Sequence, residues 1–207
     1  MRLLWVCVAI LGSTPAWADD AGAPATDDAA ASDDERDDDR AVALAAELGA
    51  VGGGGATPGG MRVGGRYLVR LSERDWFDGG LAFTFGRPGP GCGRVSPQGM
   101  SCDHGVADGF SGDLSIGVRR ELGRSAEFVP FVRVAAFARV LRFATDDVTG
   151  VAGGGELAAG LRARLRDDLS LVGSAAAFAG LARLGSGFGS AGQLGLTITA
   201  GAEFRMR

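Results

Sequence analysis

The chain has 207 residues, 36 of them glycine, with 22% charged and 46% hydrophobic. That length suits one domain with small additions, and the apolar content is too high for general disorder. A formal net charge of −4 carries no basic excess, so nucleic acid finds no electrostatic footprint and is excluded as a partner.

Residues 1–18 have the layout of a secretory signal. Arg2 supplies a positive start, Leu3 to Leu11 an apolar run, and Ala16-Trp17-Ala18 a small-x-small cleavage site before Asp19 and Asp20. The apolar run is too short to span about 30 Å of hydrocarbon. Residues 19–40 change composition abruptly. Ten of them are Asp or Glu, and Arg36 and Arg40 are the only cations. Like charges repel and there is little to bury, which predicts a disordered acidic segment, either a plain solvated tail or a lure for divalent cations and basic partners.

From residue 41 the apolar signal has period two, the signature of strands. In 41–51, Val42, Leu44, Ala46 and Leu48 oppose Glu47. In 61–72, Val63, Tyr67, Val69 and Leu71 oppose Arg62, Arg66 and Arg70. In 76–86, Phe77, Leu81, Phe83 and Phe85 oppose Asp78, Ala82 and Thr84. In 110–122, Leu114, Ile116, Val118 and Leu122 oppose Asp113, Arg119 and Glu121. In 128–141, Val132, Val134, Ala136, Ala138 and Val140 oppose Arg133, Phe137 and Arg139. In 151–165, Val151, Leu157, Ala159, Leu161, Ala163 and Leu165 oppose Glu156, Arg162 and Arg164. The segment 168–182 is rich in alanine and glycine, with Leu169, Leu171 and Leu181 in one parity. In 192–207, Leu194, Leu196, Ile198, Ala200, Ala202, Phe204 and Met206 oppose Thr197, Thr199, Glu203 and Arg205.

Eight such segments predict an all-β fold, an eight-stranded antiparallel up-and-down transmembrane barrel over 41–207. Several segments exceed the usual strand length and suit tilted membrane strands. Closure removes the edges that a bilayer would punish. Alanine runs such as Ala175 to Ala177 could seed helices, but the interior glycines and the parity oppose that.

The links alternate in the same sense. Those at 72–75, 123–125 and 166–168 are short and polar. Those near 52–60, 87–109, 144–150 and 183–191 are mostly longer and richer in glycine, as expected of outer loops on a barrel with periplasmic termini. The glycine runs Gly52–Gly55 and Gly153–Gly155 lack a phosphate-loop pattern and read as loop or narrow-wall features.

The 87–109 link carries Cys92 and Cys102, an even pair that favours a disulfide in an exported chain. A metal site with Asp103 and His104 is the rival, with spacing too irregular for the usual zinc patterns. Ser101, Asp103 and His104 are neighbours in sequence only, which does not make a catalytic triad. No catalytic, metal-binding or cofactor-binding motif appears elsewhere, so no enzymatic activity and no cofactor are expected.

The charged parity cannot face lipid, where arginine at the midplane costs about 2–4 kcal/mol. Glu47, Arg66, Arg70, Asp78, Asp113, Arg119, Arg133, Arg139, Glu156, Arg162, Arg164, Glu203 and Arg205 are therefore the candidates for a network inside the lumen. A barrel of this size has room for side chains but not for a broad channel. The network is either a self-satisfied polar plug or an arginine-lined pore or anion site.

The leader ending Ala16-Trp17-Ala18, the eight strands and the closing segment GQLGLTITAGAEFRMR resemble the small outer-membrane barrels typified by the transmembrane domain of OmpA and by OmpX. The resemblance covers 41–207 and is architectural. It implies a bacterial outer-membrane location, with the lipid bilayer and the outer-membrane assembly machinery as partners. It implies a structural or surface-interaction role, with a small channel or a lipid-modifying enzyme as alternatives. A soluble secreted barrel for an apolar ligand is a further alternative that needs no membrane.

Overall fold

The structure is a computed structural model. It describes residues 41–86, 92–96, 99–102, 109–123, 127–144, 147–185 and 187–206. The leader and acidic segment expected over 1–40 lie outside the described residues. The strands are β1 (Val42–Gly55), β2 (Gly60–Arg70), β3 (Asp75–Phe85), β4 (Cys92–Ser96), β5 (Gly99–Cys102), β6 (Gly109–Glu121), β7 (Phe128–Phe143), β8 (Val148–Arg164), β9 (Leu169–Leu184) and β10 (Gly189–Met206). Eight of them close in the order β1-β10-β9-β8-β7-β6-β3-β2, while β4 and β5 form a separate two-stranded hairpin. All pairings are antiparallel, and the barrel closes where Val42 meets Met206 and Gly55 meets Gln193.

The alternation of the sequence becomes the two faces of the wall. Leu48, Leu81, Ile116, Val134, Leu157, Leu181, Leu196 and Ile198 point outward and are exposed. Arg62, Asp78, Thr84, Asp113, Arg119, Arg133, Arg139, Thr197 and Glu203 point inward and are buried. In β9 the inward set is Val172, Ala176, Phe178, Ala182 and Leu184. A continuous exposed apolar girdle of this kind far exceeds the patches of soluble monomers and is the surface of a protein solvated by lipid.

Three of the four long links expected from the sequence shorten to four residues each. Strand runs through Gly55 and resumes at Gly60, runs through Phe143 and resumes at Val148, and runs through Leu184 and resumes at Gly189. Gly52–Gly55 pairs with Gln193–Leu196, and Gly153–Gly155 is the middle of β8. Short and long links therefore do not alternate; only the link from β3 to β6 is long. The physical reason lies partly in two backbone angles. Gly55 and Gly60 have φ of 65° and 130°, which lets the chain reverse at once over 56–59. The Thr57 hydroxyl secures the turn by donating to the Gly54 carbonyl at 2.8 Å.

Glycine also shapes the lumen. Gly154 lies directly opposite Phe137, Gly160 opposite Phe131, and Gly195 opposite Phe178. In each pair the inward aromatic ring occupies the space beside the glycine that a Cβ would fill. The wall is thin where the ring is large, which is how a narrow barrel admits aromatic side chains.

Candidate functional site: the barrel lumen

The lumen is packed in layers from the end holding the start of β1 (the near end) to the opposite, far end. In the near layer, Arg119 Nη1 donates to Glu203 Oε2 at 2.6 Å. Arg205 spans two carboxylates, with Nε to Glu203 Oε1 at 3.0 Å and Nη2 to Glu121 Oε1 at 2.8 Å. Arg162 Nε lies 3.3 Å from the same Glu121 oxygen. The Arg205 guanidinium stacks 4.5 Å above the Trp76 ring, and that of Arg119 lies 4.0 Å from Phe131.

In the middle layer, Arg66 bridges Glu47 and Asp78 at 2.8 Å and 2.6 Å. Arg133 donates to Glu156 and lies 4.0 Å from Asp78. In the layer beyond, Asp113 accepts both Nε and Nη2 of Arg139, at 2.6 Å and 3.0 Å, a bidentate pair. Asp113 also accepts from Arg62, which donates on to Thr84 at 3.3 Å. Arg139 lies against Phe137 and Phe178, which meet edge to face with centroids 5.9 Å apart.

A common order recurs in the near layer and in the layer of Arg139: glycine in the wall, an aromatic ring beside it, a guanidinium over the ring, then a carboxylate. Arginine suits it because its flat cation both stacks and forks. Burying these charges is tolerable because each meets an opposite charge and at least one hydrogen-bond partner.

The far end is apolar. Ala56, Leu141, Phe143, Val148, Ala152, Ala182 and Leu184 form a buried cluster, with Phe188 and Ala191 packed against it. Leu141 and Val148 are 0% exposed and Phe143 is 1% exposed, so the cluster packs inside the barrel along β7, β8 and β9 at this end.

Eleven of the thirteen expected network residues meet in these layers. The other two sit at the near rim. Arg70 ends β2 and donates to the Ser72 carbonyl at 3.2 Å. Arg164 ends β8, has a side chain 38% exposed, and pairs with Asp167 in the following turn. Both carry the inward parity but lie past the last closed layer. Arg62 and Glu121, which share the charged parity in the sequence, complete the network. Parity alone does not single out Trp76, Phe131, Phe178 or the far-end cluster, because nothing in an alternating pattern says which inward apolar residues meet. The backbone of β4 and β5 places Cys92 directly opposite Cys102. Among the described residues, no group of three or more His, Cys, Asp or Glu side chains is arranged to hold a metal. Asp103 and His104 lie outside them.

No family model and no curated protein sequence matches the chain. Solved structures do. The surface protein A of Neisseria is 10% identical, with 80% of this chain and 96% of that one covered and a TM-score of 0.47. Ail, the attachment invasion locus protein of Yersinia pestis, is 12% identical over 81% and 97%, with a TM-score of 0.43. A major outer membrane protein of Thermus thermophilus is 17% identical over 80% and 99%, with a TM-score of 0.42.

Proposed function

We propose that this chain is a bacterial outer-membrane barrel with a structural or surface-interaction role, a lumen that does not conduct, and no enzymatic activity. One observation carries the reading: buried ion pairs cross the lumen in layers, and the buried apolar cluster of Leu141, Phe143, Val148 and Leu184 packs at its far end. Ions crossing it would have to part those buried pairs and pass that apolar cluster. The folded protein in planar bilayers therefore gives no current steps in either orientation. Reproducible steps that change on neutralising Arg133 or Arg162 would establish the channel instead.

Location follows from the exposed apolar girdle and the closed strand order, which together require a bilayer. Residues 41–207 form the barrel domain, with 1–18 as its removed leader and 19–40 as an acidic segment in the periplasm. The outer-membrane assembly machinery is the partner that inserts it. The chain is expected to fractionate with outer membranes, and protease on intact cells should cut within 86–108. Recovery as a soluble protein would overturn the location, and protection of that segment would overturn the orientation. Folded protein is expected to neither hydrolyse envelope lipid nor transfer its acyl chains; either activity would overturn the non-enzymatic reading.

A disulfide between Cys92 and Cys102 would staple the tip of the external segment, and their cross-strand pairing supports it. Non-reduced protein should then yield no free thiol at either position. Alkylation of both without reduction would dismiss the bond.

A further inference from the structure

The near layer of the lumen is not electrically balanced. Arg119, Arg162 and Arg205 face only Glu121 and Glu203, which leaves one positive charge. The layers beyond balance each other. Glu47, Asp78 and Glu156 exceed Arg66 and Arg133 by one, whereas Arg62 and Arg139 exceed Asp113 by one. The near surplus has no such counterpart.

Unspent donors lie in the same layer. Nε and Nη2 of Arg119, Nε of Arg162 and Nε1 of Trp76 are buried and complete no hydrogen bond. Arg162 Nε and Arg119 Nη2 lie 3.3 Å and 3.7 Å from one shared Glu121 oxygen, whereas Arg119 Nε and Trp76 Nε1 have no acceptor. Arg119 is 2%, Arg162 7% and Trp76 2% exposed. Trp76 and Arg119 are cross-strand partners, and Arg205 stacks on Trp76, so the donors belong to one neighbourhood. A buried surplus cation with idle N–H groups is costly unless something negative answers it. Arg205, with a side chain 22% exposed, marks the side from which such a group could enter.

We propose that this layer binds one small inorganic anion of halide size and single charge, held by Arg119, Arg162 and the indole N–H of Trp76. The site does not depend on the membrane reading, since it lies wholly inside the barrel.

Trp76 also serves as the reporter. In the full chain carrying Trp5→Phe and Trp17→Phe it is the sole tryptophan. Folded protein in a nonionic detergent is titrated with iodide, which quenches indole fluorescence on contact. Quenching is expected to saturate, to be relieved by added chloride at constant iodide, and to be unrelieved by added caesium. Arg162→Gln removes the surplus charge and should reduce apparent iodide affinity at least tenfold, leaving only weak linear quenching. Glu121→Gln enlarges the surplus and should tighten iodide binding by a similar factor. It provides the second reading if Arg162→Gln fails to fold. Linear quenching in the parent, without competition by chloride, would mean that water alone serves these donors and would overturn the site. So would equal saturation in parent and variants.

Discussion

Asp113 shows how tightly one side chain can be bound to its surroundings. It is 3% exposed and is held by Arg62 from β2 and Arg139 from β7. Replacing it with alanine leaves two guanidiniums facing each other inside the wall, and removing one member of a buried ionic set costs about 3–5 kcal/mol. Asp113→Ala should lower the unfolding free energy by that amount in urea titrations of protein folded into vesicles. A loss under 1 kcal/mol would show that water reaches the layer and substitutes for the carboxylate. That Asp113 faces inward is legible in its own segment, since Leu114 and Ile116 take the other parity. Its partners are not legible there. Arg62 and Arg139 are 51 and 26 residues away, and only strand order and register bring them to it. The same holds for Arg119 and Glu203, 84 residues apart.

At the scale of the strand, the instructive segment is Gly153–Gly155. Composition alone allows such a run to be loop or wall, and the structure makes it the centre of β8. Gly154 faces inward beneath the Phe137 ring, with Gly180 and the backbone of Ala179 alongside, so a methyl group there meets atoms that cannot step aside. At Gly153 the nearest atom to an added Cβ is the Phe137 carbonyl oxygen at 3.5 Å, an ordinary contact. Gly154→Ala should therefore cost about 1–3 kcal/mol, as overpacking does. Gly153→Ala should stay within about 0.5 kcal/mol, as surface changes do. Equal effects in equilibrium unfolding would refute the ring-over-glycine account. The same logic explains the turns that composition presents as long loops. Glycine signals irregular backbone only where nothing else claims its missing side chain. In a narrow barrel, neighbouring strands and aromatic rings claim it, and sequence composition cannot distinguish the two. The inward apolar residues Phe143, Val148 and Leu184 escape attention for a related reason, since they flank or fall inside those same stretches.

At the scale of the molecule, the outer surface is a solvent-matched band and its depth is testable. Ile198 is 67% exposed and lies midway along β10, while Met206 ends that strand. Ile198→Arg should cost about 2–4 kcal/mol in vesicles, as at a bilayer midplane, and Met206→Arg about 0–1 kcal/mol, as near an interface. Similar costs at both positions, measured by reversible folding into vesicles, would deny that the bilayer spans this face. The band is the part of the whole that the sequence displays best, because period-two alternation states both the strand and its two solvents at once. Closure is the part it displays least. The seam joins Val42 to Met206, nearly the full described length apart. Local hairpins can zip early, but this seam must wait, since loop-closure entropy precedes any reward from a non-local pairing. Until it forms, β1 and β10 each present a row of unsatisfied amides. Closure therefore cannot precede the synthesis of β10, and a chain shortened within β10 would leave the edge of β1 open to a foreign strand.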